Sequence, residues 1–167
     1  MNFHSIVQQT KRLPALAALL GIAGTLAAQN ANITAHDAWV RLPPPSRNVT
    51  AVFMVIENSG SQRRSVVAAS SDAAEKVEMH EMTMTKPAGD KQGGVPDTGK
   101  SMMVMKPVAE IAIPAKGKAT LAPGGLHIMM FGLKSKLADG DKVNVTLKLD
   151  DGSILPVTAT VREQKME

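Results

Sequence analysis

Two short runs of the chain each set a histidine two residues ahead of a methionine. "VEMHEMTM" holds His80 and Met82, and "LHIMMFGL" holds His127 and Met129. A thioether is soft, neutral and indifferent to pH, a poor partner for Zn²⁺ or Mg²⁺ but a good one for Cu(I), and imidazole is an acceptable companion. Two imidazoles and two thioethers around Cu(I) leave a net charge of +1. With no cysteine in the chain, no thiol is at risk of oxidation outside the cytoplasm. The mixture therefore fits a transferable Cu(I) site.

Packing is the competing explanation, because methionine commonly fills irregular gaps in cores. Of eleven methionines, eight fall between residues 79 and 130. Side chains alternate faces along a strand, so residues two apart share a face. His127 and Met129 then point one way, as do His80, Met82 and Met84 on their run, and Met103 with Met105 on another. Met54, Met79 and Met130 read as core residues. His36, in "ITAHDAWVR", reads as a solvated strand side chain. A sharper alternative makes it a mature N-terminal histidine gripping Cu(II) in a redox enzyme.

The elements that must position these groups read as short strands separated by turn chemistry. Strands are predicted at 33–42, 50–58, 65–70, 75–85, 101–108, 109–114, 118–123, 126–133, 141–149 and 153–163. They are punctuated by the Pro43-Pro44-Pro45 run and by turns at Asn58-Ser59-Gly60, Gly124-Gly125 and Asp151-Gly152. No convincing amphipathic helix appears, so the fold class is all-β, a sandwich or barrel. The segment 86–101, "KPAGDKQGGVPDTGKS", has no hydrophobic periodicity and reads as a flexible insertion between two strands. Its closure costs little, because loop entropy grows only logarithmically with length.

Composition narrows the function further. The 167 residues suffice for one domain with a real core. At the N-terminus, Lys11 and Arg12 precede an apolar run from Leu13 to about Ala28, the pattern of a secretory signal, with cleavage after Ala27 or Ala28. Residues 1–28 are thus expected to be a signal peptide, and residues 29–167 the mature domain. No second long apolar run follows, so the mature chain is expected to be periplasmic and without a membrane span. Beyond the leader, 17 basic residues stand against 15 acidic ones. The basic residues are scattered without aromatic platforms, which argues against nucleic-acid binding.

The run "VEMHEMTM … MMVMKPV … IAIPAKGKATLAPGGLHIMMFGL", with "DAWVR" and "IENSG" upstream, resembles the periplasmic copper chaperone family PCu(A)C. That family's pattern is H-(M)-x10-M-x21-H-x-M. Here Met105 and His127 have 21 residues between them, and His127-Ile128-Met129 supplies the closing H-x-M. The resemblance implies a cupredoxin-like Greek-key β-sandwich that binds one Cu(I) through His80, Met105, His127 and Met129. The first spacing departs from the pattern, with 24 residues between His80 and Met105. The excess coincides with the 86–101 segment, as a lengthened hairpin connection would require. Met103 is an alternative second ligand, with Met82 and Met84 as auxiliaries.

The resemblance further implies delivery of copper to an acceptor, a cytochrome oxidase subunit or a thiol-containing copper carrier. No nucleophile–base pair suggests an enzyme. The rival readings are an Ig-like adhesion or assembly module with a Met-rich core, and a copper-resistance scavenger.

Overall fold

The computed structural model describes residues 32–85 and 102–164; the expected signal peptide and the 86–101 insertion lie outside them. The described residues form ten strands: β1 (Ile33–Arg41), β2 (Val49–Asn58), β3 (Arg64–Ser70), β4 (Ala74–Thr85), β5 (Met102–Pro107), β6 (Ile111–Ile113), β7 (Gly117–Leu121), β8 (Leu126–Leu133), β9 (Lys142–Leu149) and β10 (Ile154–Arg162). Among these residues there is no helix long and apolar enough to cross a membrane. The boundaries fall within a few residues of those expected from turn residues and alternation. The proline run ends β1, because proline cannot donate to a ladder.

One hydrogen-bonded ladder runs through all ten strands in the order β5-β4-β8-β7-β2-β1-β10-β9-β3-β6, with β8 also pairing β2. The ladder folds over on itself, bringing β3 against β4 and β6 against β7 and β2. Most neighbours are antiparallel, but β1 and β10, and β7 and β8, run parallel. The architecture is all-β, as the strand and turn pattern predicts, and cupredoxin-like, as the resemblance implies.

The core lies between the two layers and takes one parity from each strand. Val52, Met54 and Ile56 of β2, Met79 of β4, Ile128 and Met130 of β8, and Val143, Val145 and Leu147 of β9 are all buried there. Three methionines assigned to packing thus lie in the core. In β1 the parity changes partway. The register with β2 shifts between His36 and Trp39, and Asp37 sits at φ 53°, a left-handed conformation that aspartate tolerates better than most residues. Ile33 reaches the core before this bulge and Val40 after it, while Trp39 is left on the outer face beside Phe53 of β2, ring centroids 4.5 Å apart.

Met130 is fully buried, whereas Met84 is 71% exposed. Met130→Ala is expected to lower the unfolding free energy by about 2–5 kcal/mol, while Met84→Ala should stay within about 0.5 kcal/mol of the parent. Chemical denaturation measures both, and equal losses would mean that the thioethers of the outer face also pack a core.

Candidate metal centre

Strand β4 lies between β5 and β8, and the register of both pairings decides what the outer face presents. His80 stands directly opposite His127, their ring centroids 6.0 Å apart. Met82 stands opposite Met105 and Met84 opposite Met103. Met129, two residues along β8 from His127, is opposite Glu78. All these side chains share the face away from the core, because each is an even number of residues from its neighbour on the strand.

Both imidazoles are nearly buried, His80 at 8% and His127 at 5% exposure. Each has one nitrogen committed to a hydrogen bond. His127 Nδ1 donates to the Gly125 carbonyl at 2.9 Å. A carbonyl can only accept, so the neutral ring keeps its lone pair on Nε2. His80 Nε2 lies 3.1 Å from Glu78 Oε2. Glu78 is held below the ordinary carboxylate range by its hydrogen bond to Lys76 and then by His80. The ionised carboxylate accepts, Nε2–H donates, and the lone pair of neutral His80 falls on Nδ1. That nitrogen is buried without a hydrogen-bond partner among the described residues, at a cost of about 1–3 kcal/mol. An ion accepting the lone pair would remove that cost.

Burial pushes the His127 pKa below 6.5, opposed by the Gly125 hydrogen bond and reinforced by the neighbouring His80 and Arg41. The ring therefore stays neutral, the form that coordinates a metal. Beside it opens a cavity of about 470 Å³ whose wall includes Met82, Met105, His127, Met129 and two arginines, Arg41 and Arg47. Phe53 closes its floor, and the Arg41 guanidinium lies 5.4 Å from the centre of that ring. His80 is not part of this wall; it sits one strand over from His127.

The structure therefore brings His80 and His127 side by side, and gathers Met82, Met105 and Met129 around His127. Met105 lines the cavity, while Met103 pairs one rung farther out with Met84. His36 stands apart on β1. It is exposed and bonded to Asp37 at 2.9 Å and Glu57 at 3.2 Å, as expected of a solvated side chain. Ile33, three residues earlier, is already in the core and paired with Asn58, so cutting the chain just before His36 would remove part of a packed strand.

Some supporting residues escaped the sequence reading. Glu78 shares His80's parity and was legible in principle as its i−2 neighbour. The Gly125 carbonyl is a backbone atom two residues before the ring it serves, and the Phe53 floor depends on cross-strand register; side-chain alternation signals neither. Among the described residues no three His, Asp or Glu side chains form a cluster able to hold a metal. The donors beyond the two imidazoles are thioethers, a set suited to a soft monovalent ion rather than a hard divalent one.

Comparison with known proteins gives the same direction. The sequence model of the LpqE-like family, described as "Putative lipoprotein LpqE-like", matches residues 33–161. "Putative lipoprotein Lxx21020" of Leifsonia xyli is 37% identical over 131 residues, 78% of this chain and 70% of that one. Among solved structures, apo-DR1885 from Deinococcus radiodurans is 32% identical, with a TM-score of 0.56 over 96% of both chains. CuI-DR1885 is 34% identical, with a TM-score of 0.54 over 85% of this chain and 84% of that one. The copper-bound PCuAC domain from PmoF2 shares the fold, with a TM-score of 0.61 at 17% identity over 80% of this chain and 94% of that one.

His36 and His127 should titrate on opposite sides of 6.5 in the metal-free protein. Hydrogen bonds to Asp37 and Glu57 raise the pKa of His36, whereas burial lowers that of His127. His127 thus contributes stability fully above 6.5 and loses it as pH falls through its folded value; His36 contributes fully below 6.5 and loses it as pH rises through its own. Imidazole resonances followed by NMR should give the order His127 first, then His36, on raising the pH. The reverse order would remove the argument for a neutral, metal-ready His127.

Proposed function

Since the chain belongs to the LpqE-like family, a PCu(A)C-related family, we propose that it is an exported Cu(I) metallochaperone that carries one ion and hands it to a partner protein. The observation that carries this reading is the imidazole pair. His80 Nδ1 and His127 Nε2 are the two lone pairs left by the Glu78 and Gly125 hydrogen bonds, and thioethers stand beside them. In this reading His80, His127, Met105 and Met129 hold the ion. Met105 is preferred to Met103 because it shares the cavity wall with His127 and Met129. Met82, directly opposite Met105, is the nearest auxiliary. The copper-bound forms of DR1885 and of the PmoF2 domain support copper as the cargo.

Release follows from the same chemistry. An incoming thiolate forms a Cu–S bond as one thioether sulfur leaves, and the displaced ligand is neutral. The ion's single positive charge is then matched by the thiolate. Arg41 and Arg47 at the cavity wall favour an anionic newcomer and disfavour a bare cation at short range. A cytochrome oxidase subunit or a thiol-containing copper carrier has the ligand chemistry required of the acceptor. The apolar run after Lys11 and Arg12, together with relatives described as lipoproteins, supports a cleaved leader at 1–28 and a periplasmic domain at 29–167, the 86–101 segment being an insertion in it.

Anaerobic Cu(I) titration against a competing chelator should reveal one tight site. His127→Ala and Met129→Leu should weaken it strongly, and Glu78→Gln, which removes the carboxylate that orients His80, by about 10–100-fold. Met54→Leu, in the core, should leave it unchanged. Similar affinities for all four variants would point to packing as the methionines' role and would favour the adhesion-module reading.

A further inference from the structure

Four methionines on the β4–β5 hairpin occupy two consecutive rungs of one face, Met82 opposite Met105 and Met84 opposite Met103. Their exposure is the anomaly. Met84 is 71% exposed, Met103 50% and Met105 45%, although packing is the usual reason for clustered methionine. Facing side chains in an antiparallel pair start with Cβ atoms about 4.5–5.5 Å apart, and successive rungs are separated by about 7 Å. Flexible thioether side chains span both distances. Glu81 and Lys106 pair on the opposite face of the hairpin, so these two rungs present sulfur without a competing carboxylate.

We infer that Met84 and Met103, assisted by Met82, form a second, weaker Cu(I) site made of thioethers alone, from which the ion passes inward to the imidazole pair. This rests on the reading of His80 and His127 as the tight site and adds the route by which it is loaded. The exposed rung offers mobile, solvated thioethers alone, whereas the two imidazoles are buried and held in place by Glu78 and Gly125, so affinity rises from the exposed rung toward the histidines. Each step exchanges one neutral donor for another. A bond from copper to a Met84 or Met103 sulfur breaks as one to Met82 or Met105 forms, and a sulfur bond then yields to an imidazole nitrogen. The ion stays monovalent throughout, and no proton moves if the rings are already neutral.

Silver(I), a soft monovalent ion that does not cycle its oxidation state under these conditions, is the probe. Native mass spectrometry of the exported full-length protein should show two Ag(I) ions at excess metal. Met84→Leu/Met103→Leu should retain one, at the wild-type affinity, and should take up Cu(I) from its acetonitrile complex severalfold more slowly. On titration, the Met84 and Met103 methyl resonances should shift only after the first equivalent. His127→Ala should lose the tight ion and keep the weak one. A wild-type protein that stops at one ion, or a double variant that keeps both and loads at the parental rate, overturns the thioether site. Absence of any ion sensitive to His127→Ala would instead overturn the reading on which it rests. Leucine conserves the volume of these exposed side chains, and an unchanged thermal midpoint would establish that the variant is folded.

Discussion

The carbonyl oxygen of Gly125 accepts two hydrogen bonds, from the Met82 amide at 3.2 Å and from His127 Nδ1 at 2.9 Å. One backbone atom thereby fixes the register of β4 against β8 and the tautomer of the imidazole in that register. The turn that offers it, Pro123-Gly124-Gly125, needs Gly124 at φ 83°, where a β-carbon would be strained. If this carbonyl moved, both the rung at which His80 meets His127 and the direction of the free lone pair would be lost together.

Around that anchor the outer face separates hard from soft. Glu78 is taken up by Lys76 at 2.8 Å and by His80, so its charge orients a ring rather than inviting a divalent ion. Phe53 covers one flank of His127, ring centroids 6.3 Å apart, and Trp39 packs on Phe53, with Arg162 stacked 4.6 Å from the Trp39 ring centre and Arg41 over Phe53. The resulting neighbourhood is apolar and positively biased. Its charge favours an approaching anion, and its neutral donors suit a single positive charge better than a double one.

Much of the face was legible in the sequence because the relevant signal is local. Period-two alternation puts His80 with Met82 and His127 with Met129 whatever the fold does elsewhere. The same rule sends Met54, Met79 and Met130 to the core, where they lie. Register is a different kind of information, since it is set by contacts between residues far apart in the chain. Alternation alone could not choose Met105 over Met103, and the choice becomes physical only when β5 is seen to pair Met105 with Met82 beside the cavity. Glu78 stood two residues from His80 and was legible in principle, whereas Phe53 acts through a neighbour on another strand and left no mark in spacing. The long separation between His80 and Met105 proved compatible with close pairing, because β4 and β5 remain in step from His80↔Pro107 to Thr85↔Met102.

The bulge at Asp37 decides which side chains β1 turns inward beyond it. The β4–β5 connection accommodates many additional residues without disturbing the strands it joins. In β1, straightening the bulge with every residue kept would restore strict alternation and exchange inside for outside beyond that point. Val40 would turn to solvent, while Trp39 and Arg41 would be driven into the hydrocarbon interior, leaving a guanidinium among Ile and Val side chains. Length changes in this lineage are therefore expected to accumulate in the hairpin, and substitutions that straighten the bulge to be purged from the first strand.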